Sequence, residues 1–354
     1  MSEPETGSDA SPSAIPAGIA LEPVTDWLSA RVADVEPPLG VELIAGGHSN
    51  LTFRLTDAGG RRWVLRRPPL KQVLATAHDM GREHRIIEAL APSPVPVPTL
   101  VGLCDDEAVN GAPFYVMDFV DGTVVRDQAL AATFAVDERA RMGASLVDTL
   151  AAIHAVDVDA VGLGTLGKKE DYLARQLKRW STQFERSTSR EIPEIVDVHA
   201  RLEAERPEQQ RATLVHGDYR LDNCIVGAGG AVAAVLDWEL CTLGDPLADL
   251  GMLFVYMPDP DDEALAAIPA PTAIEGFPRK REILERYGQL SDLDLGAIAY
   301  YEAFGMWKLA CIAEGVFARY QGGAMGDRGT RGEGFGEDVI ALARSAQRIL
   351  DERT

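Results

Sequence analysis

Apolar and polar residues recur with two different periods along this chain, and the switch between them divides it. Leu21, Val24, Leu28 and Val32 fall on one helical stripe, which predicts an opening helix ended before Pro37-Pro38. Period-two alternation follows. Two strands flank a Gly-Gly turn within Leu43–Leu55, and Arg61–Arg67 reads as a third, with Trp63 and Leu65 on one face and Val64 and Arg66 on the other. Asp79–Leu90 returns to helical spacing, with Met80, Ile87 and Leu90 on an inward stripe. Glu83 lies on that same stripe. A carboxylate on an apolar face is costly unless paired, so Arg66 on the preceding strand is its natural partner. A Pro-rich turn at Pro92–Pro98 and two more strands come next, the last within Phe114–Gly122. Beyond it helical periods dominate, over Asp137–Val156, Asp171–Arg186, Ile195–Glu205, Pro246–Tyr256, Arg279–Tyr287, Asp294–Tyr320 and Gly336–Leu350.

One segment interrupts these helices. Leu214-Val-His-Gly-Asp-Tyr-Arg-Leu-Asp-Asn223 is followed by two short apolar runs, Cys224–Gly227 and Ala231–Leu236, joined by Ala228-Gly229-Gly230. A hairpin here sets Asn223 and Asp237 side by side. Asp218 and Asn223 are separated by four residues, the spacing that phosphoryl-transfer enzymes use to place a carboxylate beside an acceptor hydroxyl and an amide oxygen on magnesium. Two oxygen donors at one end of a hairpin suit the hard Mg²⁺ ion. Asp and Asn also sit at strand ends and turns for purely local reasons. It is the ordered set of His216, Asp218, Asn223 and Asp237 that points to chemistry.

His-Gly-Asp-x-x-x-x-Asn, then Leu236-Asp-Trp-Glu239, then Gly244-Asp-Pro-Leu-Ala-Asp-Leu250 resembles the aminoglycoside phosphotransferase and choline kinase superfamily. Within it, the Asp-Trp-Glu-Leu-x-x-x-Gly-Asp-Pro-x-x-Asp-Leu wording is similar to the kinase-like domain fused to, or encoded among, acyl-CoA dehydrogenases. The resemblance covers residues 39 to 320. It implies an α+β, protein-kinase-like bilobal fold with a small β-rich N-lobe at 19–119 and a larger helical C-lobe at 120–354; the Ser-, Pro-, Glu- and Ala-rich residues 1–18 read as a disordered tail. It implies Asp218 as catalytic base, Asn223 and Asp237 as Mg²⁺ ligands, His216 as a brace of the loop and Asp249 as its buried anchor. In the N-lobe it implies a phosphate-covering hairpin at Gly46, Gly47, Ser49 and Asn50. Arg66, standing where kinases carry Lys, becomes a nucleotide-phosphate contact paired with Glu83. Met117 to Phe119 become the hinge whose main chain meets the adenine.

The activity so implied is transfer of the γ-phosphoryl of Mg·ATP to a hydroxyl of a small molecule, such as a hydroxyacyl-CoA-type or other hydroxylated metabolite. Two alternatives stay open: an aminoglycoside phosphotransferase, and a nucleotide-binding pseudokinase scaffold. Arg66 permits the second, and the intact Asp218, Asn223 and Asp237 set argues against it. A metal-dependent phosphoesterase is disfavoured because the six histidines form no ligand pairs.

Composition adds bounds. At 354 residues and 46% hydrophobic content the chain can bury a large core, and a net charge of -21 disfavours nucleic acid or an anionic membrane as partner. Cys104, Cys224, Cys241 and Cys311 are widely spaced without a Cys-x-x-Cys pair, which fits a reducing cytoplasm and neither disulfides nor zinc. The first 18 residues carry no basic apolar signal segment. The apolar stretch Leu293–Tyr320 is broken by Glu302, Lys308 and Glu314, so it reads as a buried helix. His154 and the N-cap Asp245 read as structural. The acceptor pocket is expected around Asp171–Arg186 and Asp294–Tyr320; the acceptor's identity and the oligomeric state are left open.

Overall fold

Alternation along the third strand explains the first of two units in the computed structural model, which describes residues 15–44, 50–70, 79–262, 267–268, 270–321 and 332–352. This unit runs to Glu88 and resumes over Pro98–Phe119. Its elements are α1 (Leu21–Ser29), β1 (Gly40–Leu43), β2 (Leu51–Thr56), β3 (Arg62–Arg67), α2 (Met80–Leu90), β4 (Leu100–Cys104), the short α3 (Glu107–Asn110) and β5 (Phe114–Asp118). The strands form one antiparallel sheet in the order β1-β2-β3-β5-β4. Phe53, Leu55, Trp63, Leu65, Phe114 and Val116 fill one face and pack on Val24, Trp27 and Leu28 of α1. The pleat sends Arg66, paired across the ladder with Tyr115, to the other face, and His84 of α2 lies edge-on to the Tyr115 ring at 6.3 Å. Arg67 points back to the first face and donates to the Gly18 carbonyl at 2.6 Å. That bond tethers the chain at Gly18, the last residue of the expected tail.

The second unit takes Ala89–Val97 and continues from Val120. The Pro-rich turn expected in the N-lobe therefore clusters with the C-lobe, because the Pro96 carbonyl accepts from Val235 N–H at 2.8 Å and Val95 is buried. The elements that follow are α4 (Gln128–Ala131), α5 (Val136–His154), α6 (Tyr172–Ser187), α7 (Pro193–Ala204), β6 (Thr213–Val215), β7 (Cys224–Val226), β8 (Val232–Val235), β9 (Thr242–Gly244), α8 (Pro246–Tyr256), α9 (Lys280–Leu290), α10 (Ile298–Gln321) and α11 (Gly332–Glu352). β7 pairs with β8 as the expected hairpin, and β6 pairs with β9. The three residues of β9 are too few to show a period. Helix α10 starts at Ile298 and not at Asp294, because the Asp294 carboxylate accepts from Gly296 N–H and holds a turn there.

Two glycines let α8 and α10 pack backbone against backbone. A Cβ at Gly251 would stand 2.4 Å from the Tyr301 backbone, and one at Gly305 2.9 Å from the Val255 side chain. This close crossing carries Asp249 and Lys308 beneath the same loop. The four cysteines are buried and free. Among the described residues no helix is long and apolar enough to cross a membrane.

Candidate active site

The loop that leaves β6 is held from below by one carboxylate. Asp249, 1% exposed on α8, accepts from His216 N–H at 2.6 Å and from Gly217 N–H at 2.9 Å, while His154 Nε2 approaches at 3.4 Å. Burial alone would raise this carboxyl. The His154 hydrogen bond, the two histidines and the Gly217 amide outweigh it and hold the group below its usual range. Tyr287 OH meets the far nitrogen of His154, Nδ1, at 2.7 Å.

His216 is fully buried, and its two ring nitrogens have different work. Nε2 faces the Leu236 carbonyl at 3.0 Å and must donate, so Nδ1 is left to accept from Asp218 N–H at 3.3 Å. Its ring packs 4.8 Å from Trp238. The imidazole thus bridges the loop and the residue that follows β8.

Asp218 is the centre of the contacts above that brace. Asn223 Nδ2 donates to its carboxylate at 2.9 Å and to its carbonyl at 2.8 Å, and Tyr256 OH donates to the other carboxylate oxygen at 3.2 Å. Arg220 lies 3.6 Å from the same carboxylate and 3.3 Å from Asp222, with its guanidinium over the Tyr256 ring. Burial would lower the Arg220 group, but Asp218, Tyr256, Asp222 and Asp237 raise it above its ordinary value. Burial raises Asp222 despite Arg220, and it raises Tyr256, which stays a neutral donor.

The two expected metal ligands flank the hairpin. Leu236 N–H donates to the Asn223 carbonyl at 2.8 Å, which sets the residue before Asp237 against the start of β7. With Nδ2 committed to Asp218, Asn223 presents its amide oxygen elsewhere. Asp237 itself is partly buried and adopts a left-handed backbone at φ 63°, ψ 62°. One amide oxygen and one carboxylate fit a hard cation that retains several waters, as Mg²⁺ does. Among the described residues no group of three or more His, Cys, Asp or Glu is arranged to hold a metal.

In the first unit, Arg66 Nη2 and Glu83 Oε1 meet at 3.1 Å, with Glu83 2% exposed. The pleat turns the neighbouring Arg67 to the opposite face, where it is bonded to main-chain carbonyls. Asn50 is buried at the head of β2, whereas Gly46, Gly47 and Ser49 lie outside the described residues. At the expected hinge, Met117 is buried in the sheet, and the N–H groups of Asp118 and Phe119 already donate to Thr99 and Arg62 carbonyls. Those two N–H groups are therefore spent within the sheet, and the Phe119 ring lies under the Arg62 guanidinium at 4.5 Å. Tyr256, Arg220 and Lys308 were not singled out from the sequence. The signal for Lys308 was its charge inside an apolar helix; Tyr256 gave none.

Residues 40–282 match the model of the phosphotransferase enzyme family. The chain is 37% identical over 290 residues to mouse acyl-CoA dehydrogenase family member 10, covering 77% of this chain and 26% of that protein, so it spans about a quarter of that relative's length. It is also similar to a solved candidate aminoglycoside phosphotransferase from Ralstonia eutropha JMP134, at 32% identity and a TM-score of 0.76, covering 93% of this chain and 99% of that one. A choline kinase from Cryptosporidium parvum Iowa II shares the fold, with a TM-score of 0.65 at 12% identity over 93% of this chain and 95% of that one.

Proposed function

Because this chain belongs to the phosphotransferase enzyme family, we propose that it moves the γ-phosphoryl of Mg·ATP to a hydroxyl of a small molecule, with Asp218 as the base. The observation that carries this reading is the contact between Asp218 and Asn223, whose amide bonds both the carbonyl and the carboxylate of Asp218. Asn223 and Tyr256 orient the carboxylate so that it can receive the acceptor's proton as the new O–P bond forms. Arg220 keeps a positive charge within reach of the oxygens that gain charge during transfer. Asn223 and Asp237 would hold Mg²⁺, which when bound neutralises phosphate charge. Arg66, braced by Glu83, is the proposed phosphate contact of the first unit.

The acceptor is proposed to be a hydroxylated acyl thioester or related metabolite, on the strength of the 37% identity to an acyl-CoA dehydrogenase family member. The 32% identity to the Ralstonia protein favours aminoglycosides as the second reading. Incubation of the full chain with Mg·ATP and each class, followed by mass spectrometry, separates them. Asp218→Asn is expected to lower transfer by about 10²–10⁴-fold while nucleotide-induced thermal stabilisation persists. Full transfer by Asp218→Asn would overturn the assignment.

A further inference from the structure

Beneath Asp218 lies a charge that nothing above has used. Lys308 sits on α10, 6% exposed, and its ammonium donates to the Gly217 carbonyl at 2.8 Å. The Trp180 ring of α6 lies 5.6 Å away, a cation–π distance. Among the described residues the hydrogen bond made by this ammonium goes to a carbonyl oxygen and not to a carboxylate. Burying an ammonium that way is costly, and a Met or Leu would fill the same space at less cost. Burial indeed pulls the Lys308 group below the ordinary lysine value, with Asp218 and Asp249 pulling it back.

The geometry gives that cost a purpose. Gly217 has φ +86°, and a Cβ there would meet the Leu240 carbonyl at 3.0 Å, so the loop requires glycine at this point. Glycine also brings the loosest torsions in the loop, directly before Asp218. The peptide joining Gly217 to Asp218 is restrained at both ends: its oxygen by Lys308 at 2.8 Å, its N–H by His216 Nδ1 at 3.3 Å. The preceding peptide is held through the Gly217 N–H by Asp249. The glycine-mediated crossing of α8 and α10 delivers both holding groups to this spot.

We propose that Lys308 is a positioning residue for phosphoryl transfer: its ammonium fixes the Gly217–Asp218 peptide plane and so aims the Asp218 carboxylate. This rests on Asp218 being the base, as proposed above. The test compares the wild-type chain, Lys308→Met, Lys308→Arg and Asp218→Asn in two measurements. The first is Mg·ATP turnover with water as acceptor, read as kcat and KM; the second is amide hydrogen exchange at Asp218.

Lys308→Met is expected to lose about 100-fold in kcat, the scale of a misplacement near one ångström, with KM for Mg·ATP held within about twofold. Exchange at the Asp218 amide should accelerate while that of the β7–β8 hairpin does not. Lys308→Arg should recover part of both. Unchanged kcat, a loss carried wholly by KM, or unchanged Asp218 exchange in Lys308→Met overturns the proposal. If Lys308→Met does not fold, Lys308→Gln carries the same comparison. Where water gives no turnover, an acceptor found by the mass-spectrometric test above replaces it; transfer that is absent with every acceptor, or that survives in Asp218→Asn, defeats the phosphotransfer reading instead, and Asp218 exchange then decides the clamp alone.

Discussion

The two units place their candidate functional groups by different means. In the first, a regular sheet and one helix face bring Arg66 to Glu83, and the ladder alone decides which arginine is presented. In the second, Asp218 stands on irregular backbone, and its position is the sum of contacts from His216, Asn223, Tyr256, Asp249 and Lys308. Regular structure positions by register, so few side chains are needed. A loop has no register and must be held at many points, each of them small.

That contrast can be broken at its strongest point first. Glu83→Ala leaves a guanidinium only 12% exposed without its carboxylate and should destabilise the protein by about 3–5 kcal/mol, read by denaturant unfolding. A loss no larger than that of an exposed ion pair would place Arg66 and Glu83 in the same distributed category as the loop. Next in size, Gly251→Ala forces the α8–α10 crossing apart and should cost about 1–3 kcal/mol, with a fall in turnover. If turnover is untouched, the crossing does not position the loop.

Acid supplies a third test. The Asp249 carboxyl is held below its unfolded value of about 3.9, so its contribution is fully present above that pH and drains away as pH falls through the lower folded value. Asp249→Asn should therefore flatten the acid side of the stability profile and leave its neutral-to-alkaline shape alone; an unchanged acid limb would remove Asp249 from the list of supports. The smallest effect belongs to Tyr256→Phe. It deletes one long hydrogen bond to Asp218, worth about 1 kcal/mol, and should lower turnover about fivefold while moving the melting temperature by no more than a few degrees. A loss as large as that of Asp218→Asn would show that the loop is not held in a distributed way.

The same contrast governs what could be read in advance. Glu83 and Arg66 were legible because periods of two and 3.6 residues are local properties, and a charge on an apolar stripe stands out against them. His216, Asp218, Asn223 and Asp237 were legible by spacing and by the turn that separates the two hairpin strands. β9 was not, since three residues carry no period, nor was the allegiance of the Pro-rich turn, which depends on a long-range bond from Val235 to Pro96. Tyr256 looked like any aromatic at a helix end. Lys308 and Glu314 announced themselves only as charges in an apolar run, and Glu314 proves to be a bidentate partner of Arg190, buried like Lys308 but remote in purpose.

Asp237 is one of three described residues other than glycine with a left-handed backbone. Such a conformation disfavours most L-amino acids by about 1–2 kcal/mol, and Gly or Asn tolerates it best. Glycine here would therefore relax the main chain even as it emptied the proposed ion-binding role, whereas Ala would strain it. On the proposed role of Asp237, descendants that drift to Gly at this position would be well folded yet lack an ion ligand, so robust expression and a high melting point are poor guides to which members of such a lineage still work.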